Sequence, residues 1–259
     1  MNELITIPFS HFCEKARWAL DWCGVPYVER ACLPGLHLVH TRRIGGRTVP
    51  ALIRGDGSAL VDSTDILRWA DAQAPADKKL LPADAAARAE ADAFEEELDE
   101  TLGPATRLWA YAHGLRNRPM LRAMVAPSFP RLRDRAMLAL LLPVVGRLIE
   151  KQYGATMEAA DRAEGVILDG FERTSARLEA QPYLSGDRFG ASDLTFAVLG
   201  GVMVLPRENR FMKHDVELTR EMRAFVDRLR ATRAGEHAAK CYRQHRATPE
   251  DFRRSAANE

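Results

Sequence analysis

The sequence predicts an α/β domain over residues 1–75, a linker over 76–83 and an all-helical bundle over 84–246, with a polar tail at 247–259. Three observations carry this. The first stretch alternates short β-type runs with helical periodicity in the order β-α-β-(irregular)-β-β-α. A polar segment from Ala74-Pro75-Ala76-Asp77 through Leu81-Pro82 then interrupts it. Every periodic segment beyond that point reads as helix. At roughly 100–200 residues per domain, a chain of 259 residues suits two domains.

Leu4 to Ile7 is a short β-type run that ends at Pro8. From Glu14 to Cys23, the apolar Ala16, Ala19, Leu20 and Cys23 recur at three and four, the helical period. Ser10 is placed to cap this helix at its N-terminus, and Gly24 to stop it. Pro26 to Leu33 reads as a second strand and Pro34 to Gly46 as irregular. Val49 to Ile53 and Ala59 to Val61 flank Arg54-Gly55-Asp56-Gly57, which is turn chemistry, so the pair predicts a hairpin. Asp62-Ser63-Thr64-Asp65 is a helix start with Asp62 as cap, and the helix is expected to reach about Ala74.

In the second half, Asp84 to Glu100 holds eight acidic residues and one Arg, and Arg107 to Arg135 holds seven Arg and one Asp. The two blocks read as solvated faces of one long helix, each placed to suit the helix dipole. No Glu-x-x-His pair accompanies the acidic block, which argues against a dinuclear metal site. Met120 to Tyr153 is expected to form one or two helices bent near Pro127, Pro130 and Pro143. Ala155 to Ala180 reads as helix, Pro182 to Phe189 as loop and Ala191 to Val204 as a compact apolar helix. Two more helices are expected near 216–231 and 235–246. Trp18, Trp22 and Trp69 read as core or interface residues.

Composition narrows the function classes. Hydrophobic residues at 46 % and charged residues at 28 % exclude disorder and a collagen-like chain. Net charge is +1, without the basic excess that a general nucleic-acid binder needs to displace counterions. Four cysteines, at 13, 23, 32 and 241, fit no zinc spacing and read as free thiols of a reducing, cytoplasmic compartment. The residues Met1 to Pro8 do not resemble a signal peptide. The most apolar stretch, Ala136 to Ile149, is too short to cross a bilayer core of about 30 Å, so no membrane partner is expected.

The chemistry concentrates at Ser10-His11-Phe12-Cys13-Glu14-Lys15-Ala16-Arg17, between the first strand and the first helix. Thioredoxin-class redox proteins hold Cys-x-x-Cys at such a junction, where unpaired N–H groups and the helix dipole stabilise a thiolate. Here Ser10 takes the outer position and Cys13 the inner one. A serine does not act as a redox thiol, but it donates a hydrogen bond to another molecule's thiolate. Cys13 reads either as a small buried residue or as a resolving-type thiol. His11 beside Ser10 invites a Ser-His hydrolase reading, but no acid partner is identifiable. Thr48-Val49-Pro50 opens a strand, where a proline is tolerated. Asp62-Ser63 opens a helix, which offers N–H groups to an anion. On the first helix of the second domain, Arg107 and Tyr111 share one face, as do Trp109 and His113. Either pair faces a cleft or packs on a neighbouring helix.

In this order and on these elements the sequence resembles the glutathione S-transferase superfamily. The match runs through Ser10 to Leu20 with Gly24-Val25-Pro26-Tyr27, Thr48-Val49-Pro50-Ala51-Leu52, Asp62-Ser63-Thr64-Asp65-Ile66, and Tyr183 to Phe189 with Ala191-Ser192-Asp193. The resemblance implies a thioredoxin-like N-terminal domain followed by an all-helical domain enlarged around 119–165. It implies glutathione as co-substrate, no metal, a small hydrophobic electrophile and a homodimer, as in detoxifying transferases. Ser10 would contact the glutathione sulfur, with Cys13 as a second catalytic candidate. Phe12, Thr48, Val49, a cis Pro50, Asp62 and Ser63 would bind the tripeptide. Arg42, Arg43, Arg47, His37 and His40 are candidates for its glycyl carboxylate. Arg107 and Tyr111 would face the second substrate. The family usually has Ser or Thr three residues before Asp193, where this chain has Gly190. Two other readings stay open: a glutathione-dependent thiol oxidoreductase using Cys13, and a non-catalytic binding protein on the same fold.

Overall fold

The computed structural model describes residues 1–117, 119–121, 143–144, 146–209 and 217–246. It opens with β1 (Asn2–Thr6), α1 (His11–Trp22), β2 (Tyr27–Ala31), α2 (His37–Thr41), β3 (Ala51–Ile53), β4 (Ala59–Leu60) and α3 (Ser63–Gln73). The sheet order is β2-β1-β3-β4. β1 pairs parallel with β2, Asn2 opposite Tyr27, and antiparallel with β3, Leu4 opposite Leu52. Ser10 caps α1, its Oγ accepting from the Cys13 N–H at 3.4 Å. Asp62 caps α3 through the Thr64 and Asp65 N–H groups, at 2.7 and 3.3 Å. Gly24 at φ +70° ends α1 and Gly57 at φ +86° closes the hairpin, both in the left-handed region that favours glycine. The stretch Pro34–Gly46, expected to be irregular, contains α2 and a 3₁₀ turn at Arg42–Ile44. A five-residue helix whose cap position, Leu36, offers no side-chain bond leaves no periodic signal to read.

The helical part comprises α4 (Ala85–Glu100), α5 (Leu102–Arg116), a helical segment over 146–153, α6 (Met157–Ala180), α7 (Ala191–Val204), α8 (Arg220–Arg230) and α9 (Arg233–His245). The long helix expected from the acidic and basic blocks is two helices, divided at Thr101 (φ −111°, ψ −67°). Pro104 accounts for the break, because it has no N–H to give to the Glu100 carbonyl and its ring crowds that position. Pro127, Pro130, Arg118, the arginines at 122–135, part of the proposed enlargement (122–142 and 145) and the tail at 247–259 lie outside the described residues. The centre of the bundle is α7, all of whose 14 residues are buried. α7 also packs on α1, so one apolar cluster runs from Leu4, Trp18, Leu20 and Leu52 to Leu194, Ala197, Val198 and Tyr242. The linker carries polar residues but seats Leu80 and Leu81 in this cluster. Their N–H groups donate to Asp71 Oδ1.

Beneath the apolar packing lies a buried ionic frame centred on α1. Lys15, wholly buried, donates from Nζ to Asp99 Oδ2 at 2.5 Å and Thr64 Oγ1 at 2.9 Å, and pairs with Glu95 Oε1 at 2.7 Å. The acidic block is therefore not a solvated face throughout: Glu95 and Asp99 turn inward to meet a cation from the first domain. On the other side of α1, Arg17 pairs with Glu29 and Glu14. Arg246, just past α9, reaches Glu14 Oε1 and Asp21 Oδ2, both at 2.7 Å. His11 donates from Nε2 to the Gly103 carbonyl at 3.0 Å, joining the starts of α1 and α5. That carbonyl can only accept, so Nε2 carries a proton. Burial, helped by the Arg107 charge, lowers the His11 pKa to about 3.

At α7 the missing cap side chain has a steric reason. Gly190 has ordinary extended backbone, but a Cβ there would lie 2.6 Å from Ser185 Cβ and 2.7 Å from the Leu80 carbonyl oxygen. Asp193 supplies the other half of the cap, accepting from the Gly190 N–H at 3.0 Å. It also accepts from Leu184 N–H at 2.7 Å, Ser185 N–H at 3.3 Å and His237 Nε2 at 2.8 Å.

Two outcomes follow. Gly190→Ser, though it installs a favoured cap residue, should destabilise the chain by about 1–3 kcal/mol through overpacking, read as a lowered urea midpoint with unchanged slope. His11 should contribute a pH dependence. Its folded pKa lies below its unfolded value, so its stabilisation is complete above about pH 6.5 and declines as pH falls toward about 3. Between pH 7 and pH 5 the wild type should lose about 2 kcal/mol more stability than His11→Gln. Parallel losses in the two proteins would show that His11 is not held neutral.

Candidate functional site

The N-terminal ends of α1 and α3 and the strand start at β3 converge on one cleft of about 760 Å³, closed on its far side by α4, α5 and the segment 146–153. Ser10, Phe12, Thr48, Val49, Pro50, Asp62 and Ser63 all line it. The Val49–Pro50 peptide is cis. Ser10 is half-buried, and its Oγ, while accepting from the Cys13 N–H, keeps its own proton to donate. The Ser10 N–H is taken by the Ile7 carbonyl at 3.0 Å, which fixes the turn into α1. Ser63 is buried at the first position of α3, where a helix presents unpaired N–H groups and partial positive charge.

Cys13 lies one turn inside α1 with no solvent exposure. Burial pushes its thiol up to about 11, against the pull of Arg17 and of the neighbouring Ser10 side chain. The His11 ring is turned to Gly103 and carries its Nε2 proton there.

Of the five candidate groups for a glycyl carboxylate, Arg47 and His37 line the cleft. Burial lowers the His37 pKa and its Nδ1 accepts from the Gly35 N–H, so Arg47 is the cation of the pair. Arg42 and Arg43 are exposed in the 3₁₀ turn, and His40 sits on α2; none of the three is part of the cleft wall.

Arg107 and Tyr111 line the opposite wall together. The Arg107 guanidinium lies 4.6 Å from the Tyr153 ring centre and 5.7 Å from that of Phe12. Tyr111 and Tyr153 rings are 5.5 Å apart, and burial pushes the Tyr111 phenol up to about 12. Trp109, buried, and His113, half-buried, lie on the other face of α5 with their ring centres 4.3 Å apart, and Trp109 donates to Glu164. Residues that the sequence reading did not single out also line the cleft: Arg68, Glu96, Asp99, Gln152 and Tyr153. Asp99 was legible only as one of a block of acids; its inward turn depends on Lys15, 84 positions away.

Among the described residues, one group has metal-ligand composition, Asp193, His237 and Cys241, with ligand atoms within 4.8 Å of one another. Three backbone N–H groups and His237 already occupy the Asp193 carboxylate, which makes it a helix-cap lock. Among the described residues no helix is long and apolar enough to cross a membrane.

Residues 4–78 match the family model of the glutathione S-transferase N-terminal domain. No curated protein matches the chain. Solved structures resemble it over nearly its whole length. A glutathione S-transferase from Methylobacterium radiotolerans, complexed with glutathione sulfonate, is 19 % identical with a TM-score of 0.53, covering 92 % of this chain and 94 % of its own. Glutathione transferase F2 from Populus trichocarpa is 15 % identical with a TM-score of 0.55, covering 94 % and 99 %. A glutathione S-transferase from Methylobacillus flagellatus, with glutathione bound, is 15 % identical with a TM-score of 0.51, covering 92 % and 99 %. The chain thus carries a glutathione S-transferase N-terminal domain and, over its length, the fold of the glutathione S-transferase superfamily.

Proposed function

We propose that this chain is a glutathione transferase in which the Ser10 hydroxyl and the N-terminus of α1 stabilise the glutathione thiolate for attack on a small electrophile. The observation that carries this reading is the half-buried Ser10 Oγ, a hydroxyl with a proton to donate, lining one cleft with the cis Val49–Pro50 peptide. A hydrogen bond to an ionised group contributes roughly 1.5–3 kcal/mol, which lowers a thiol pKa toward neutrality.

The residues fit the tripeptide in charge. Ser63 and the start of α3 offer donors to the γ-glutamyl carboxylate. Asp62 offers acceptors to its ammonium, as does Asp99 Oδ1, buried without a hydrogen-bond partner among the described residues. Arg47 offers a cation to the glycyl carboxylate. Glutathione-bound structures among the similar folds support the same co-substrate. With both partners held in one cleft, the reaction gains from proximity and from a preformed nucleophile.

The oxidoreductase alternative asks Cys13 to attack as a thiolate. A buried thiol with a pKa of about 11 is ionised in only about one molecule in ten thousand at pH 7, which argues for the transferase reading.

Two measurements test the assignment. Ser10→Ala should raise the pKa of the bound glutathione thiol by roughly 1–2 units, followed by ultraviolet thiolate absorbance, with circular dichroism to confirm that α1 survives loss of its cap. An unchanged titration would remove Ser10 from the role. Arg47→Gln should weaken glutathione binding about tenfold by calorimetry; unaltered affinity would show that the glycyl carboxylate lies elsewhere.

A further inference from the structure

The wall facing Ser10 is not a plain apolar surface. Arg107 projects into the cleft from α5 with its guanidinium set against two rings, Tyr153 at 4.6 Å and Phe12 at 5.7 Å, with the un-ionised Tyr111 phenol beside them. The cleft's carboxylates, Asp62, Asp65, Glu96, Asp99 and Glu100, belong to the start of α3 and to α4. Asp99 is already paired with Lys15. No salt bridge joins Arg107 to a carboxylate among the described residues. A guanidinium is always charged, presents five donors in a plane and stacks on aromatic faces while keeping its edge free. A flat electrophile entering this space meets walls that carry three aromatic rings, Phe12, Tyr111 and Tyr153, and the Arg107 cation.

From this we propose that the second substrate is a planar, conjugated or aromatic electrophile carrying a carboxylate, and that Arg107 selects it by pairing with that anion. The proposal rests on the transferase reading and adds the substrate class. For an aryl halide of this class that also carries an electron-withdrawing substituent, the step is a substitution. The glutathione thiol gives its proton to water on ionising, and the thiolate sulfur forms a C–S bond to the activated ring carbon. The displaced π electrons spread onto the ring and its electron-withdrawing substituent. The carbon–halogen bond then breaks, and halide leaves with its electron pair. Arg107 holds the ring through the carboxylate and offsets the charge that reaches it, a charge-assisted contact of the strong, bidentate kind.

A matched pair of ligands provides the test. Chloronitrobenzoate, with its carboxylate para to chlorine, and the corresponding neutral benzamide are each converted chemically to their glutathione conjugates. Binding of glutathione and of both conjugates to the full chain is measured by calorimetry. The carboxylate conjugate should bind about tenfold or more tightly than the amide conjugate. That ratio should fall toward one in Arg107→Gln and persist in part in Arg107→Lys, which keeps the charge and loses the planar fork. Equal binding of the two conjugates by the wild type, with glutathione bound normally, overturns the anion-selecting role and leaves the transferase reading standing. A preference that survives Arg107→Gln in full overturns it as well. Failure of glutathione and both conjugates to bind overturns the transferase reading, and this inference with it.

Discussion

Helix α1 carries Glu14, Lys15, Arg17 and Asp21 into the interior, and none of these charges can stay there alone. Stranding a single buried charge by removing its partner costs about 3–5 kcal/mol, so all four must find partners at once. They do so on three separate elements: Lys15 on α4, Arg17 on β2, and Glu14 and Asp21 on Arg246 beyond α9. An apolar interface tolerates sliding and repacking, whereas a guanidinium shared by two carboxylates tolerates little of either. For this chain we take the buried ions as a registry device more than a source of stability, since a well-packed apolar substitute is often as stable. What they register is the position of Ser10, one residue ahead of the helix that they hold.

On the proposed reading, that placement lets a serine serve where a redox protein uses two thiols. The Ser10 oxygen accepts from the Cys13 N–H and so completes the helix end, while its proton remains available to the cleft. A cysteine at the same position would cap less well and would itself compete for the site. Cys13, one turn further in, has no solvent exposure, and burial raises its thiol pKa. Structural and chemical duties fall on the two lone pairs and one proton of a single hydroxyl, and the helix dipole favours a negative partner on the same side.

Local chemistry was legible from the sequence, and remote pairing was not. Ser10 and Asp62 as caps, Gly24 as a stop, Gly57 in a hairpin turn and α7 as a buried apolar helix each follow from residues within a few positions of one another. Glu95 and Asp99 read as part of a solvated acidic face because their partner lies 80 or more positions earlier in the chain. Arg246 is 232 positions from Glu14. Periodicity carries no trace of such pairs. Pro104 divides the expected long helix through its effect on the Glu100 carbonyl, a signal that lies within four positions of the break. Gly190 shows a further limit. Its departure from the usual cap residue was plain, but the reason for it, the nearness of Ser185 and the Leu80 carbonyl, exists only in three dimensions.

Because the cleft takes one wall from the sheet domain and the other from α4, α5 and the segment 146–153, its shape depends on how the two parts are joined. Gly103 sits at that joint and does two things. Its carbonyl accepts from His11, which ties the start of α5 to the start of α1. Its missing side chain leaves room for Phe12, whose Cζ would lie 2.7 Å from an added Cβ. Phe12 in turn is one of the rings against Arg107. The Ser10 hydroxyl and the Arg107 cation at the far wall are therefore linked through one helix start, whose His11 and Phe12 both meet one glycine of the neighbouring domain. On the proposed transferase reading, a change that shifts this joint should alter thiol activation and electrophile choice together.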